Sequence, residues 1–67
     1  MILTVRPTGE WHPQMPSSID PQVLPRIGDY VGEVLNSGSL KHFPILRIIF
    51  ESYGSITLLV GDAEEIK

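Results

Sequence analysis

The chain is 67 residues long, which is the size of one small domain, and it contains no cysteine. Disulfides and cysteine-based zinc sites are therefore excluded, so stability has to come from apolar packing, within the chain or shared with a second one. With 42% hydrophobic residues and a net charge of −3, the composition is that of a folded protein and lacks the basic surplus on which nucleic-acid binders depend.

The first predicted element is a strand over residues 2–6, "ILTVR", where apolar and polar residues alternate. Five of the six prolines follow in residues 7–25. Because proline fixes φ and donates no amide hydrogen, we predict that this Pro-rich segment is an extended surface loop within a single domain of residues 1–67. Its apolar side chains are expected to hold it against the core: Trp11, Met15, Ile19 and Val23.

Residues 24–35, "LPRIGDYVGEVL", fit two structures. As a helix they carry apolar residues three or four apart, with Pro25 at the first position, but Gly28 and Gly32 would each cost about 1 kcal/mol relative to alanine. As a strand they begin with a tight turn at Gly28 and Asp29, and Gly32 marks a bulge or bend. We favour the strand, over residues 30–35, with one face made by Tyr30, Gly32 and Val34.

A β-hairpin is predicted at residues 44–60, where two alternating runs, residues 44–51 and 55–60, flank a short loop with Gly54. The tail after Gly61 is expected to be a helical turn or a fraying strand. One face of the hairpin is expected to hold Leu46, Ile48, Phe50, Ile56, Leu58 and Val60. The opposite face is expected to hold a second apolar set: Ile45, Ile49 and Leu59.

"LPRIGDYV" followed by a hairpin that ends in "ITLLV" resembles small bacterial and phage SH3-like β-barrel proteins, in which a Pro-x-apolar-Gly-Asp turn leads into a strand. The resemblance covers residues 24–60, and the Pro-rich segment before them departs from it. It implies a mainly β fold, either a small SH3-like barrel or an antiparallel sheet of three to four strands. It implies no site, since many such proteins have unknown functions. The alternative fold is α+β in the order β-α-β-β.

The two histidines do not predict a metal site. His12 and His42 could be joined by Glu10, Asp29 or Glu51, but their spacing matches no known ligand pattern. We therefore predict no metal and no cofactor.

No catalytic constellation is evident either. Ser17 with Ser18, and Ser37 with Ser39, lie in predicted loops where serine is ordinary turn chemistry, and the acidic cluster at 62–65 is explained by a solvated tail. So short a chain also has little room for a pocket beside its core. We predict that the protein is not an enzyme and binds no small molecule.

Two loop motifs have binding interpretations. "PQMP", residues 13–16, could bind a polyproline groove, but no arginine or lysine neighbours it, so we interpret it as a stiff loop. Trp11 could anchor a partner, although a lone tryptophan in a small domain more often covers the core, and we favour that lid.

The second apolar face of the hairpin motivates the main hypothesis. An antiparallel sheet in a small monomer normally leaves one face to water, so this face needs a cover. The cover could be the Pro-rich segment with Trp11 and Met15, residues 24–35 as a helix, or another chain. We predict a cytoplasmic, non-enzymatic protein-interaction module, either a homodimer or a small inhibitor or adaptor, with no membrane contact. Its site residues would be Trp11, Ile45, Arg47, Ile49, Tyr53 and Leu59. The alternative is a nucleic-acid-binding β-barrel, less favoured because of the negative charge, using Lys41, His42, Phe43 and Arg47.

Overall fold

The computed structural model of the chain describes residues 1–11, 13, 15–34, 38 and 40–66. Over these residues the fold is all-β, which confirms the predicted mainly β class. The helix considered for residues 24–35 is wrong in its described part, because residues 30–34 form a strand; residue 35 lies outside the described residues. The strands are β1 (Leu3–Pro7), β2 (Ser18–Ile19), β3 (Tyr30–Val34), β4 (Leu40–Phe50), β5 (Ile56–Val60) and β6 (Glu64–Ile66).

The strands form one sheet in the order β2-β1-β5-β4-β3, and β6 pairs with the start of β4 beyond the end of β5. Strand β1 runs parallel to β5, and the other pairs are antiparallel. The sheet curls into a half-barrel, consistent with a small SH3-like barrel. The short strand β2, inside the Pro-rich segment, adds to the four predicted strands, and the tail forms the strand β6, one of the two structures expected there.

The tight turn before β3 is confirmed. Gly28 has a φ of 99°, a conformation that favours glycine, and the Asp29 amide donates to the Arg26 carbonyl at 3.0 Å. The Arg26 amide in return donates to the Asp29 carboxylate at 2.9 Å. The Asp29 carbonyl accepts a hydrogen bond from the Ile45 amide at 2.8 Å, and the Gly28 amide donates to the Ile45 carbonyl. These two bonds align β3 along β4.

A bulge divides β4 into two halves. Ile45 lies opposite Val60 but Arg47 lies opposite Leu59, so Leu46 is an extra residue with no counterpart on β5. The extra residue shifts the alternation of side chains between the two faces. Ile45 is consequently only 1% exposed and belongs to the core, whereas Leu46 is 47% exposed. The predicted hairpin faces were therefore wrong for Ile45 and Leu46.

The core lies in the concave side of the half-barrel. The Pro-rich segment closes it through Met15 and Ile19, as predicted, while Trp11 and Val23 are exposed and do not hold the segment down. Each fully buried aliphatic or aromatic side chain contributes roughly 1.5–3 kcal/mol. The buried apolar residues are Leu3, Val5, Met15, Val31, Phe43, Ile45, Leu58 and Val60.

Candidate functional site

Three of the six predicted site residues share one surface. We call it the outer face: the side of β1, β5 and β4 that points away from the core. In one row across these strands, Leu59 lies between Arg6 and Arg47. In the next row, Thr57 lies between Thr4 and Ile49. Both arginines are exposed, and no ion pair of either side chain is found among the described residues.

The structure does not bring Trp11 and Tyr53 together. The Thr8 amide donates to the Val60 carbonyl at 3.0 Å, which places the Trp11 segment near the end of β5, whereas Tyr53 lies in the turn before β5 begins. A strand of five residues is about 16 Å long. The predicted site is therefore not one continuous patch, and Ile45 is in the core.

Trp11 instead flanks a cleft of about 260 Å³ at the end of β1. The indole is 62% exposed, so the expected lid over the core is wrong. The cleft is lined by Pro7, Glu10, Trp11, Met15, Lys41, Phe43, Gly61, Asp62 and Ala63.

The residues chosen for nucleic-acid binding do not form one surface. Phe43 is 1% exposed in the core, so its ring is not accessible for stacking. Lys41 and His42 are consecutive in β4 and point to opposite faces of the sheet. The His42 ring lies beside Tyr30, with 5.9 Å between the ring centroids.

In the described part of the chain, no three histidine, aspartate or glutamate side chains are grouped so that they could hold a metal ion. His12, Ser37 and Ser39 lie outside that part. Within the same residues, no helix is long and apolar enough to cross a membrane.

The second half of β4 has an open edge. The Glu51 amide donates to the Ser55 carbonyl at 2.8 Å, so by antiparallel alternation the backbone groups of Ile49 point to β5, while those of Ile48 and Phe50 point away from it. On that other side β3 pairs with residues 40–44 only. No described backbone group bonds the outward amides and carbonyls of Ile48 and Phe50.

Apolar side chains surround this open edge. Phe50 is 67% exposed and Ile49 is 37% exposed, and Arg47 lies beside them. Proteins often protect an edge strand with proline, a bulge or a charge. Here proline is absent from residues 45–51, the bulge lies only at the start of the edge, and the charged residues are Arg47 and Glu51, one of each sign. Sequence reasoning missed the edge, although the predicted strand at 44–51 was longer than the one at 30–35.

No family model, no curated protein and no solved structure matches this chain. That the chain is related to SH3-like proteins therefore stays a prediction. The half-barrel architecture itself is present in the structure.

Proposed function

We propose that the protein is a non-enzymatic protein-interaction module that takes up a β-strand of its partner at the open edge of β4. The observation that carries this proposal is the pair of outward backbone groups on Ile48 and Phe50, which no described residue bonds. A strand added there would satisfy these donors and acceptors with main-chain hydrogen bonds, which is a recurrent mode of peptide recognition.

The side chains near the edge supply the means of selecting a partner. An added strand presents alternate residues to the two faces of the sheet. On the outer face they would meet Ile49 and Arg47, with Leu59 behind them, and on the inner face they would meet Phe50. Arg47, Ile49 and Leu59, which the sequence analysis predicted as site residues, thus keep a binding role in the proposal.

The proposal also includes a cytoplasmic location, which the lack of cysteine favours.

The test replaces one outward amide hydrogen by a methyl group. A chain of this length can be made by chemical synthesis with N-methylphenylalanine at position 50, which blocks strand addition and leaves the pairing of β4 with β5 in place. The matched control carries N-methylglycine in place of Gly32. Asp29 bonds to Ile45, and in an antiparallel pair every second residue bonds to the partner strand, so the backbone groups of Val31 and Glu33 face β4. The Gly32 amide therefore points outward from the edge of β3.

Peptides selected from a displayed random library on the unmodified protein serve as the probe. We expect them to bind the protein methylated at Phe50 about tenfold more weakly or worse, corresponding to at least 1.4 kcal/mol. Binding to the control methylated at Gly32 should be unchanged. Equal binding to both methylated proteins, or a selection on the monomeric protein that yields no binder, would overturn strand addition at this edge.

A further inference from the structure

We infer that the strand taken up at this edge is β4 of a second copy of the chain. The two strands would run antiparallel about a twofold axis at Ile49, with Arg47 of each copy opposite Glu51 of the other. This inference rests on the proposed function, since it names the partner of the same edge. It follows from three features of residues 46–51: backbone direction, charge placement and length.

The backbone restricts the registers. For two antiparallel β4 edges to bond, the outward residues Ile48 and Phe50 of one copy must face outward residues of the other. The axis can then lie at Ile48, at Ile49 or at Phe50. A one-residue slip to an intermediate register would place outward groups against inward ones and lose the bonds.

Charge selects among these three registers. With the axis at Ile48, Arg47 lies opposite Ile49 of the second copy. With the axis at Phe50, Ile49 lies opposite Glu51. Only the axis at Ile49 places Arg47 opposite Glu51. Because of the twofold symmetry, the dimer would contain two such charge pairs. Opposite charges in directly opposed cross-strand positions attract, and Arg47 has no ion pair among the described residues.

The apolar side chains fit the same register. Ile49 would meet its own counterpart on the axis in a non-hydrogen-bonded pair, where Cα atoms lie about 4.5 Å apart and side chains are closest. On the inner face, Phe50 would lie opposite the half-buried Ile48 of the second copy. The contact would thus cover Phe50, which is largely exposed in the single chain.

The length of the open edge also fits the register with the axis at Ile49. At one end it is closed by the turn of residues 26–29, which bonds the backbone of Ile45, and at the other end by the hairpin turn after Glu51. With the axis at Ile49, the hairpin turn of each copy reaches the 26–29 turn of the other. Tyr53 and Ile27, both exposed, are then brought to the same end of the contact.

The first experiment measures mass by light scattering and sedimentation across a dilution series of the full chain. We expect a monomer–dimer equilibrium in the wild type. Arg47→Glu and Glu51→Arg should each weaken the dimer about tenfold or more. An equimolar mixture of these two variants should form a mixed dimer, because each Glu then faces an Arg, and the double variant should dimerise with itself. Arg6→Glu, on the same face but in β1, is the control and should leave the dimer unchanged.

A cysteine at the axis tests the register independently. Since the chain has no cysteine of its own, Ile49→Cys should give a disulfide-linked dimer on mild oxidation, and Val23→Cys, at a position even more exposed to reagents, should not. Circular dichroism confirms that each variant is folded.

The self-pairing is overturned if the wild type stays monomeric at every concentration. It is also overturned if neither charge reversal changes the dissociation constant of the dimer. The two proposals fail separately. A monomer whose peptide binding is still lost on methylation at Phe50 retains strand addition with another protein as partner. A dimer that survives methylation at Phe50 contradicts the use of this edge altogether.

Discussion

Leu46 lies over Gly61, so close that a β-carbon on residue 61 would stand 3.2 Å from the Cδ1 atom of Leu46 and 3.3 Å from the Cγ atom of Pro44. The Gly61 amide donates to the Pro44 carbonyl at 2.8 Å at the same point. The extra residue of β4 and the glycine that follows β5 therefore belong to one feature. Pro44 lies inside the long strand β4, next to the bulge, at a position where the ladder takes only its carbonyl group.

Replacing Gly61 by alanine tests this packing. The new methyl group would crowd Leu46 and Pro44, so we expect Gly61→Ala to lower the free energy of unfolding by about 1 kcal/mol. The matched control is Gly32→Ala, whose β-carbon would lie 3.4 Å from the Cδ2 atom of His42, an ordinary contact. Since glycine in a strand costs about 0.5–1 kcal/mol relative to alanine, that variant should be as stable as the wild type or more so. Urea denaturation measures both, and equal destabilisation would contradict the account.

The bulge explains where sequence reasoning about the fold succeeded and where it failed. Alternation with period two located β1, β3, β4 and β5, because it reflects the pleat of a single strand. The bulge depends on Gly61, which lies across the sheet from Leu46, and no local pattern in "ILRIIF" marks the extra residue. Every face assignment across that point was therefore at risk, and Ile45 was placed on the wrong side.

The reassignment of Ile45 can be tested by the same small change at two positions. Ile45 is 1% exposed, so removing one methylene in Ile45→Val should cost about 0.5–1.5 kcal/mol of unfolding free energy. Ile49 is on the outer face and 37% exposed, so Ile49→Val should cost well under 0.5 kcal/mol. Thermal or urea unfolding at low protein concentration keeps self-association out of the comparison. A larger loss of stability in Ile49→Val than in Ile45→Val would mean that Ile45 lies on the outer face, as a regular alternation without the bulge predicts.

The candidate site was only partly predictable for a similar reason. Arg47, Ile49 and Leu59 were placed on one face because β4 and β5 are joined by a short hairpin, whose register the sequence indicates. Trp11 could not be placed relative to Tyr53, because the position of Trp11 depends on the parallel pairing of β1 with β5, a contact between distant parts of the chain. The open edge was missed because it depends on where β3 begins to pair along β4.

The turn that precedes β3 gives a prediction about backbone strain alone. Gly28 has a φ of 99°, and a β-carbon there would have nothing within 4 Å, so steric crowding does not contribute. Gly28→Ala should lower the free energy of unfolding by about 1–2 kcal/mol, which is the usual cost of a left-handed conformation for an alanine. Gly32→Ala again serves as the control. No loss of stability at position 28 would mean that the turn differs from the one described.

The environment of the single tryptophan is the last prediction. Trp11 is 62% exposed beside its cleft, so its indole ring is largely in water in the folded protein. We therefore expect its fluorescence maximum to lie close to that of the urea-denatured chain and its emission to be readily quenched by iodide or acrylamide. Steady-state emission spectra with a quencher titration provide the measurement. A blue-shifted, protected tryptophan would show that Trp11 covers the core after all, since burial in an apolar environment shifts the emission to shorter wavelengths. The Pro-rich segment would then pack against the half-barrel more tightly than Met15 and Ile19 alone allow.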